Sequence, residues 1–394
     1  MAENSSEKQI CVLLTGGTIC SVPDSNDKNE SNAEETKLVL TKYYEDELVR
    51  SDSEDAGKVT FDYVSLETDI LSENMTTDVW YEILEKFRSK ILPGNYKGVI
   101  ILHGTDTLAY TSSFLSMALA GINIPVIMVS AQLILDDERT NGYANFKAAV
   151  ELILNGIAPN VYVVYRNEAN ESNGLHEPGE LLVHYGSHLL QCPNGSNNFH
   201  SRDEMTVSDV SNANLQGCNG FKEGSEIINE TFRNTEGVCF IRPYTGLDYS
   251  EIKLEGKKVV IHGTYHSESV CIGRNIYGKS KKADSSEEKK YYCLDEIVEK
   301  DRRYSIFCLL KECSKMGIPV FLAPCDADMA KYCTTANAKE MGAIPMKGIT
   351  LEAAYSKAVL ASFLGKQGRE LIDFMLADIN GEKPHEEWPT KVES

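Results

Sequence analysis

The chain is short of positive charge. Its 394 residues carry 39 Lys and Arg against 59 Asp and Glu, a formal net charge of −20. Such a surface repels phosphate, which argues against nucleic acid or an anionic membrane as a partner. No apolar run of about 18 residues is present, so no membrane-spanning helix is expected. The opening MAENSSEKQI lacks the apolar stretch of a secretory signal. The 11 cysteines include no Cys-x-x-Cys pair, so neither a zinc knuckle nor a thioredoxin-type site is signalled. Several thiols (Cys11, Cys239, Cys308) fall inside apolar runs, where a free thiol behaves as a small hydrophobe. A reducing, cytoplasmic setting is expected, and sequons such as Asn4-Ser5-Ser6 are then without consequence. Neither Gly-x-Gly-x-x-Gly nor a Walker-type phosphate loop occurs, and no internal repeat is evident.

What the chain does have is core material: 42% hydrophobic and 25% charged residues, an ordinary globular balance. Its length suggests two or three domains at about 150 residues each. Short apolar runs (10–14, 99–103, 126–130, 161–165) alternate with helical spacing at 78–90, 107–120 and 143–155. That alternation predicts an α/β domain with buried parallel strands and crossover helices. Asn74 to Asp78 offers cap residues for the first of these helices. A stretch rich in Ser, Asn, Gly and Glu (200–236) separates it from a second set of strand-like runs at 238–244, 257–263 and 318–324, with helices at 304–316 and 350–364. The expected architecture is a larger N-terminal parallel-sheet domain (1–225) and a smaller C-terminal α/β domain (237–394). Polar loops are expected at 24–36 and 272–303.

In an open parallel sheet, ligands bind beyond the carboxyl ends of the strands. After the first strand stands Leu14-Thr15-Gly16-Gly17-Thr18-Ile19, and after the 99–103 run stands His103-Gly104-Thr105-Asp106-Thr107. Glycines permit tight turns and close backbone approach, and each turn presents a threonine hydroxyl. A threonine attacks a carbonyl only when a base takes its proton and donors stabilise the oxyanion. The bland readings are a capped glycine turn, Asp106 as a helix cap, and His103 as a packed histidine at a strand end.

These two motifs resemble the bacterial-type asparaginase family, in particular its cytoplasmic type I branch. The similarity extends over Leu71-Ser72-Glu73-Asn74-Met75, residues 125–145, IRPYTGLDY (241–249), GTYHSES (263–269), GIPVFLAP (317–324) and ITLEAAYSKAVL (349–360). The resemblance implies an L-asparagine amidohydrolase with Thr18 as nucleophile and Thr105 with Asp106 as the second cluster. It implies that Ser72 and Asp106 hold the substrate's α-carboxylate and α-amino groups. The substrate-binding set it suggests is Gly17, Ser72, Glu73, Gly104 and Ala131. It implies no metal and no organic cofactor, and a homodimer or homotetramer with a small amide as the molecule bound.

Several positions depart from the family pattern. Gln191, in Gly186-Ser187-His188-Leu189-Leu190-Gln191, stands where the family carries a lysine, and a glutamine supplies no charge. No tyrosine lies between Thr18 and Tyr43; Tyr43 and Tyr44 are expected to pack beside a helix. Glu73, Asn141 and Glu268 stand where Gln or Ser, Asp, and Gly are usual. His188 is a candidate substitute base, with an exposed loop position as its bland reading. The alternatives are therefore a binding paralogue with impaired catalysis, an amidase for another small amide, or an amidotransferase subunit feeding tRNA-linked chemistry. The lack of a basic surface and of an appended small N-terminal domain counts against the last.

Overall fold

In the computed structural model the described residues are 8–23, 29–50, 59–168, 179, 181–201, 204–206, 227–274, 294–326 and 332–383. They form two compact units, 1–234 with 379–381, and 235–378 with 382–394. Most of the connecting stretch at 200–236 and of the loop at 272–303 lies outside the described residues.

The first unit runs β1 (Lys8–Gly16), β2 (Ser21–Pro23), β3 (Asn29–Ser31), α1 (Ala33–Arg50), β4 (Val59–Ile70), α2 (Thr77–Lys86), β5 (Gly98–Leu102) and α3 (Leu108–Ala118). It continues with β6 (Val126–Val129), α4 (Gly142–Leu154), β7 (Val161–Arg166), β8 (Leu181–Tyr185) and β9 (Glu204–Thr206). Seven strands form one sheet in the order β4-β1-β5-β6-β7-β8-β9. The pairs from β4 to β7 are parallel, while β8 and β9 join antiparallel, so the expected parallel sheet carries an antiparallel end. All residues of β5 and β6 are buried, which is why their sequence is continuously apolar.

Two expectations need correction. The segment 24–36 is not wholly a loop, because β3 and the start of α1 fall within it. The helix signal is an asparagine N-cap: Asn32 Oδ1 accepts from the Glu35 amide at 3.2 Å, and Asn32 Nδ2 donates to the Glu35 carboxylate at 3.1 Å. The residues 74–78 give α2 no side-chain cap; Thr76 is its N-cap by backbone geometry alone. Tyr43 and Tyr44 lie inside α1 and pack as expected, Tyr43 against Tyr143 at a centroid distance of 4.5 Å and Tyr44 edge-on to Phe61 at 5.7 Å.

The second unit runs β10 (Val238–Ile241), β11 (Val259–Gly263), α5 (Ile306–Met316), β12 (Val320–Ala323), α6 (Cys333–Glu340), β13 (Ala343–Pro345), α7 (Leu351–Phe363) and α8 (Gly368–Leu376). Its four strands are parallel in sequence order. The end of the expected 272–303 loop is ordered: Ile297 is buried in the core, and Arg274 pairs with Asp301. Glu268 adopts a left-handed backbone, φ 53°, which favours the glycine usual there. The turn is held because the Glu268 carboxylate accepts from the Asp326 amide at 2.6 Å and its carbonyl accepts from Thr335 Oγ1 at 2.8 Å. The α/β class predicted from the sequence holds for both units. Among the described residues no helix is long and apolar enough to cross a membrane.

Candidate functional site

Strand order locates the site before any side chain is considered. From β1 the chain moves to β4 on one flank, then returns to place β5 on the other. The order reverses at β1 and β5, and such a switch is where a parallel sheet offers a binding crevice beyond the carboxyl ends of its strands. Both threonine turns stand there, Thr18 after β1 and Thr105 after β5. Ser72 follows β4 and Ala131 follows β6, so the predicted residues occupy the ends of four adjacent strands.

Glycines let three of those strand ends touch. Gly16 and Gly17 have φ of 105° and 81°, where a side chain is strained. A Cβ on Gly17 would lie 2.2 Å from Gly104 Cα, and one on Gly104 would lie 2.4 Å from Ser72 Oγ. The Gly17 amide donates to Ile70 O at 2.8 Å, and Thr15 Oγ1 donates to Leu102 O at 2.8 Å, tying β1 to both neighbours.

Ser72 then fixes Asp106. The Asp106 amide donates to Ser72 Oγ at 3.1 Å, and that hydroxyl donates to Asp106 Oδ2 at 3.2 Å. Thr107 Oγ1 donates to Ser72 O at 2.9 Å, so Asp106 orients through Ser72 and does not cap α3. Ser72 has one proton, and a carboxylate takes it; in this arrangement Ser72 orients Asp106 and offers no donor outward. Thr18 and Thr105 are half-buried, and among the described residues no hydrogen bond engages either hydroxyl. Glu73 and Asp106 are exposed, and among the described residues neither forms an ion pair. The mouth of the site is therefore acceptor-rich and suited to a cationic or donor-bearing ligand group.

The two histidines are structural. His103 is fully buried, its Nδ1 donates to Gly104 O at 2.7 Å, and its Nε2 lies 3.0 Å from Thr111 Oγ1. Because Nδ1 must carry the proton, Nε2 accepts from Thr111, which in turn accepts from Trp80 Nε1 at 3.0 Å. Burial pushes the imidazole down to about 4, so it stays neutral. His188 is not an exposed loop residue but is 1% exposed, with Nε2 donating to Gly381 O at 2.6 Å. That proton is committed to holding residues 379–381 in the first unit.

Asn141 also has a packing role. Its Oδ1 accepts from the Gln132 amide at 3.0 Å and its Nδ2 donates to Arg166 O at 2.8 Å. An ionised aspartate accepts but does not donate, so this chain's loop beside Ala131 requires the amide. Gln191 Nε2 donates to Asp106 O at 2.7 Å, which places the position where a lysine is usual beside the second turn. The sequence motifs include Thr15 and Thr107 without giving either a role, and leave out Ser21, whose Oγ donates to Gly17 O at 2.8 Å. Their only signal is that each is a hydroxyl in or beside a glycine turn. Among the described residues no group of three or more His, Cys, Asp or Glu is placed to hold a metal ion.

The site thus defines an α/β protein with two threonine turns and an oriented carboxylate at a strand-order switch. Residues 9–192, within the first unit, match the family model described as Asparaginase, N-terminal. The thermostable L-asparaginase from Thermococcus kodakarensis superposes with a TM-score of 0.63 at 20% identity, covering 96% of this chain and 99% of that one. That likeness shows the fold. A glutamyl-tRNA(Gln) amidotransferase component of Methanothermobacter thermautotrophicus is 25% identical over 90% of this chain and 72% of its own length. The corresponding component from Saccharolobus islandicus is 27% identical over 67% of this chain, which spans 57% of that relative.

Proposed function

We propose that the chain hydrolyses the side-chain amide of a small amino acid, L-asparagine first, to the acid and ammonia. The observation that carries this reading is the placement of two uncommitted threonine hydroxyls at adjoining strand ends, beside a carboxylate held by Ser72. Thr18 attacks the amide carbon; its oxygen bonds to carbon, the C–N bond breaks, and the hydroxyl proton leaves with ammonia. Water then cleaves the threonyl ester, returning the proton to Thr18 and releasing the carboxylate. Thr105 and Asp106 orient the attacking hydroxyl or water and bind the ammonium of the amino acid. Gly17, Ser72, Glu73, Gly104 and Ala131 shape the substrate pocket. The protein works in the cytoplasm as a homodimer or homotetramer without a metal or organic cofactor; light scattering on the purified chain checks the assembly.

A second reading, favoured by the amidotransferase relatives, is deamidation of glutamine in support of a partner's amide transfer. Ammonia release from millimolar asparagine and glutamine separates the two by relative kcat/KM. Thr18→Ala is expected to abolish release from the preferred amide. If neither amide releases ammonia while asparagine raises the melting temperature, the chain is a binding paralogue and the hydrolytic reading is wrong.

A further inference from the structure

Gln191 lies in a segment pinned by the Leu190 amide donating to His200 O at 2.9 Å and by the bridge between Leu189 and Ser201. Its Nε2 donates to Asp106 O at 2.7 Å. A backbone carbonyl only accepts, so the carboxamide orientation is fixed by chemistry. Its Oε1 is then left shielded from solvent and without a hydrogen-bond partner. A buried acceptor in that condition is unfavourable unless a donor reaches it. Thr105, bonded directly to Asp106, carries a hydroxyl that no hydrogen bond engages among the described residues.

Resting on the hydrolytic reading, we propose that Gln191 is a positioning residue for Thr105, and not the remnant of a lost base. Its NH2 group anchors the 105–107 turn. Its Oε1 accepts a hydrogen bond from the Thr105 hydroxyl in the substrate-bound enzyme, turning the hydroxyl oxygen's lone pairs toward the reacting atoms. A carboxamide does not titrate, so this position adds no limb to the pH profile.

The test uses the full chain as wild type, Gln191→Lys and Gln191→Glu, with ammonia release measured from pH 5 to 8.5 and hydrogen exchange read over residues 103–110. Lysine keeps a donor for Asp106 O but has no acceptor. Exchange protection is expected to stay near wild type, while kcat falls about tenfold or more with little change in KM. Glutamate at pH 8 faces a carbonyl with a charge, so exchange quickens and the rate falls. As the pH falls to 5 the fraction of protonated acid, which supplies one donor and one acceptor, grows, and the rate relative to wild type rises. A Gln191→Lys enzyme at or above the wild-type kcat overturns the proposal, as does a Gln191→Glu ratio that is flat with pH. If wild type releases no ammonia, the hydrolytic reading fails by itself, and exchange still decides the positioning role. Equal protection at 103–110 in all three proteins at pH 8 and pH 5 would then refute it.

Discussion

Acidification should weaken the first unit through His103. The chain of donors from Trp80 through Thr111 to His103 Nε2 closes only when that nitrogen is unprotonated. Burial holds the folded imidazole at about 4, against about 6.5 in the unfolded chain. The folded value is the lower one, so the neutral form's contribution is complete above pH ~6.5 and is lost as the pH falls toward 4. At pH 5 the unfolded chain has gained most of one proton that the folded chain has not. The loss is about 1.5 pH units at 1.36 kcal/mol each, roughly 2 kcal/mol. The matched variant is His103→Asn, whose amide can donate to Gly104 O in place of Nδ1 but does not titrate. Urea unfolding is followed by the fluorescence of Trp80, stacked on Phe114 at 4.6 Å, in a Trp388→Phe background. The variant should be less stable at pH 7.5 because it underfills the site, and the gap should narrow by about 2 kcal/mol at pH 5. A gap unchanged between those pH values refutes a neutral, buried His103. His262 in the second unit is built alike, donating to Gly263 O, lying 2.8 Å from Tyr249 OH and lowered to about 4.

Other outcomes follow from the same geometry. Gly17→Ala places a Cβ against Gly104 at a left-handed φ, and should cost about 2–4 kcal/mol in urea unfolding while abolishing turnover. Ser72→Ala releases Asp106, and kcat/KM should fall about 10- to 100-fold with a smaller change in thermal stability. Asn141→Asp replaces a donor to Arg166 O by an acceptor at a buried site, and calorimetry at pH 7 should show a loss of about 2–3 kcal/mol. Lys357 and Glu382 form an ion pair with both side chains fully buried, so Lys357→Ala should destabilise the second unit by about 3–5 kcal/mol, lowering its Tm by roughly 10 °C.

The legible parts of the fold are the strands buried on both faces. β1, β5, β6 and β7 announce themselves as apolar runs because helices cover both sides of the sheet. The 12-residue edge strand β4 escapes a sequence reading, since VTFDYVSLETDI mixes polar and apolar residues on a half-exposed edge. The start of α1 hides in a low-complexity stretch, although Asn32 is a readable N-cap. At the site, the two glycine–threonine turns are visible in sequence, but their apposition is not, because it depends on β4 inserting on one flank of β1 and β5 on the other. The burial of His188 is hidden from sequence because its partner, Gly381, lies 193 residues away. Gln191 stands out in sequence as a departure; its hold on the Asp106 carbonyl needs coordinates.

The proposed activity makes the carboxyl ends of β1 and β5 an amide-hydrolysing centre with Thr18 as its nucleophile. The deciding assay is ammonia release from millimolar asparagine and glutamine by wild type and Thr18→Ala, with circular dichroism confirming that the variant is folded. Release by wild type and none above background by the folded variant is the predicted result. Equal release by both proteins, or none from wild type with either amide, would contradict it.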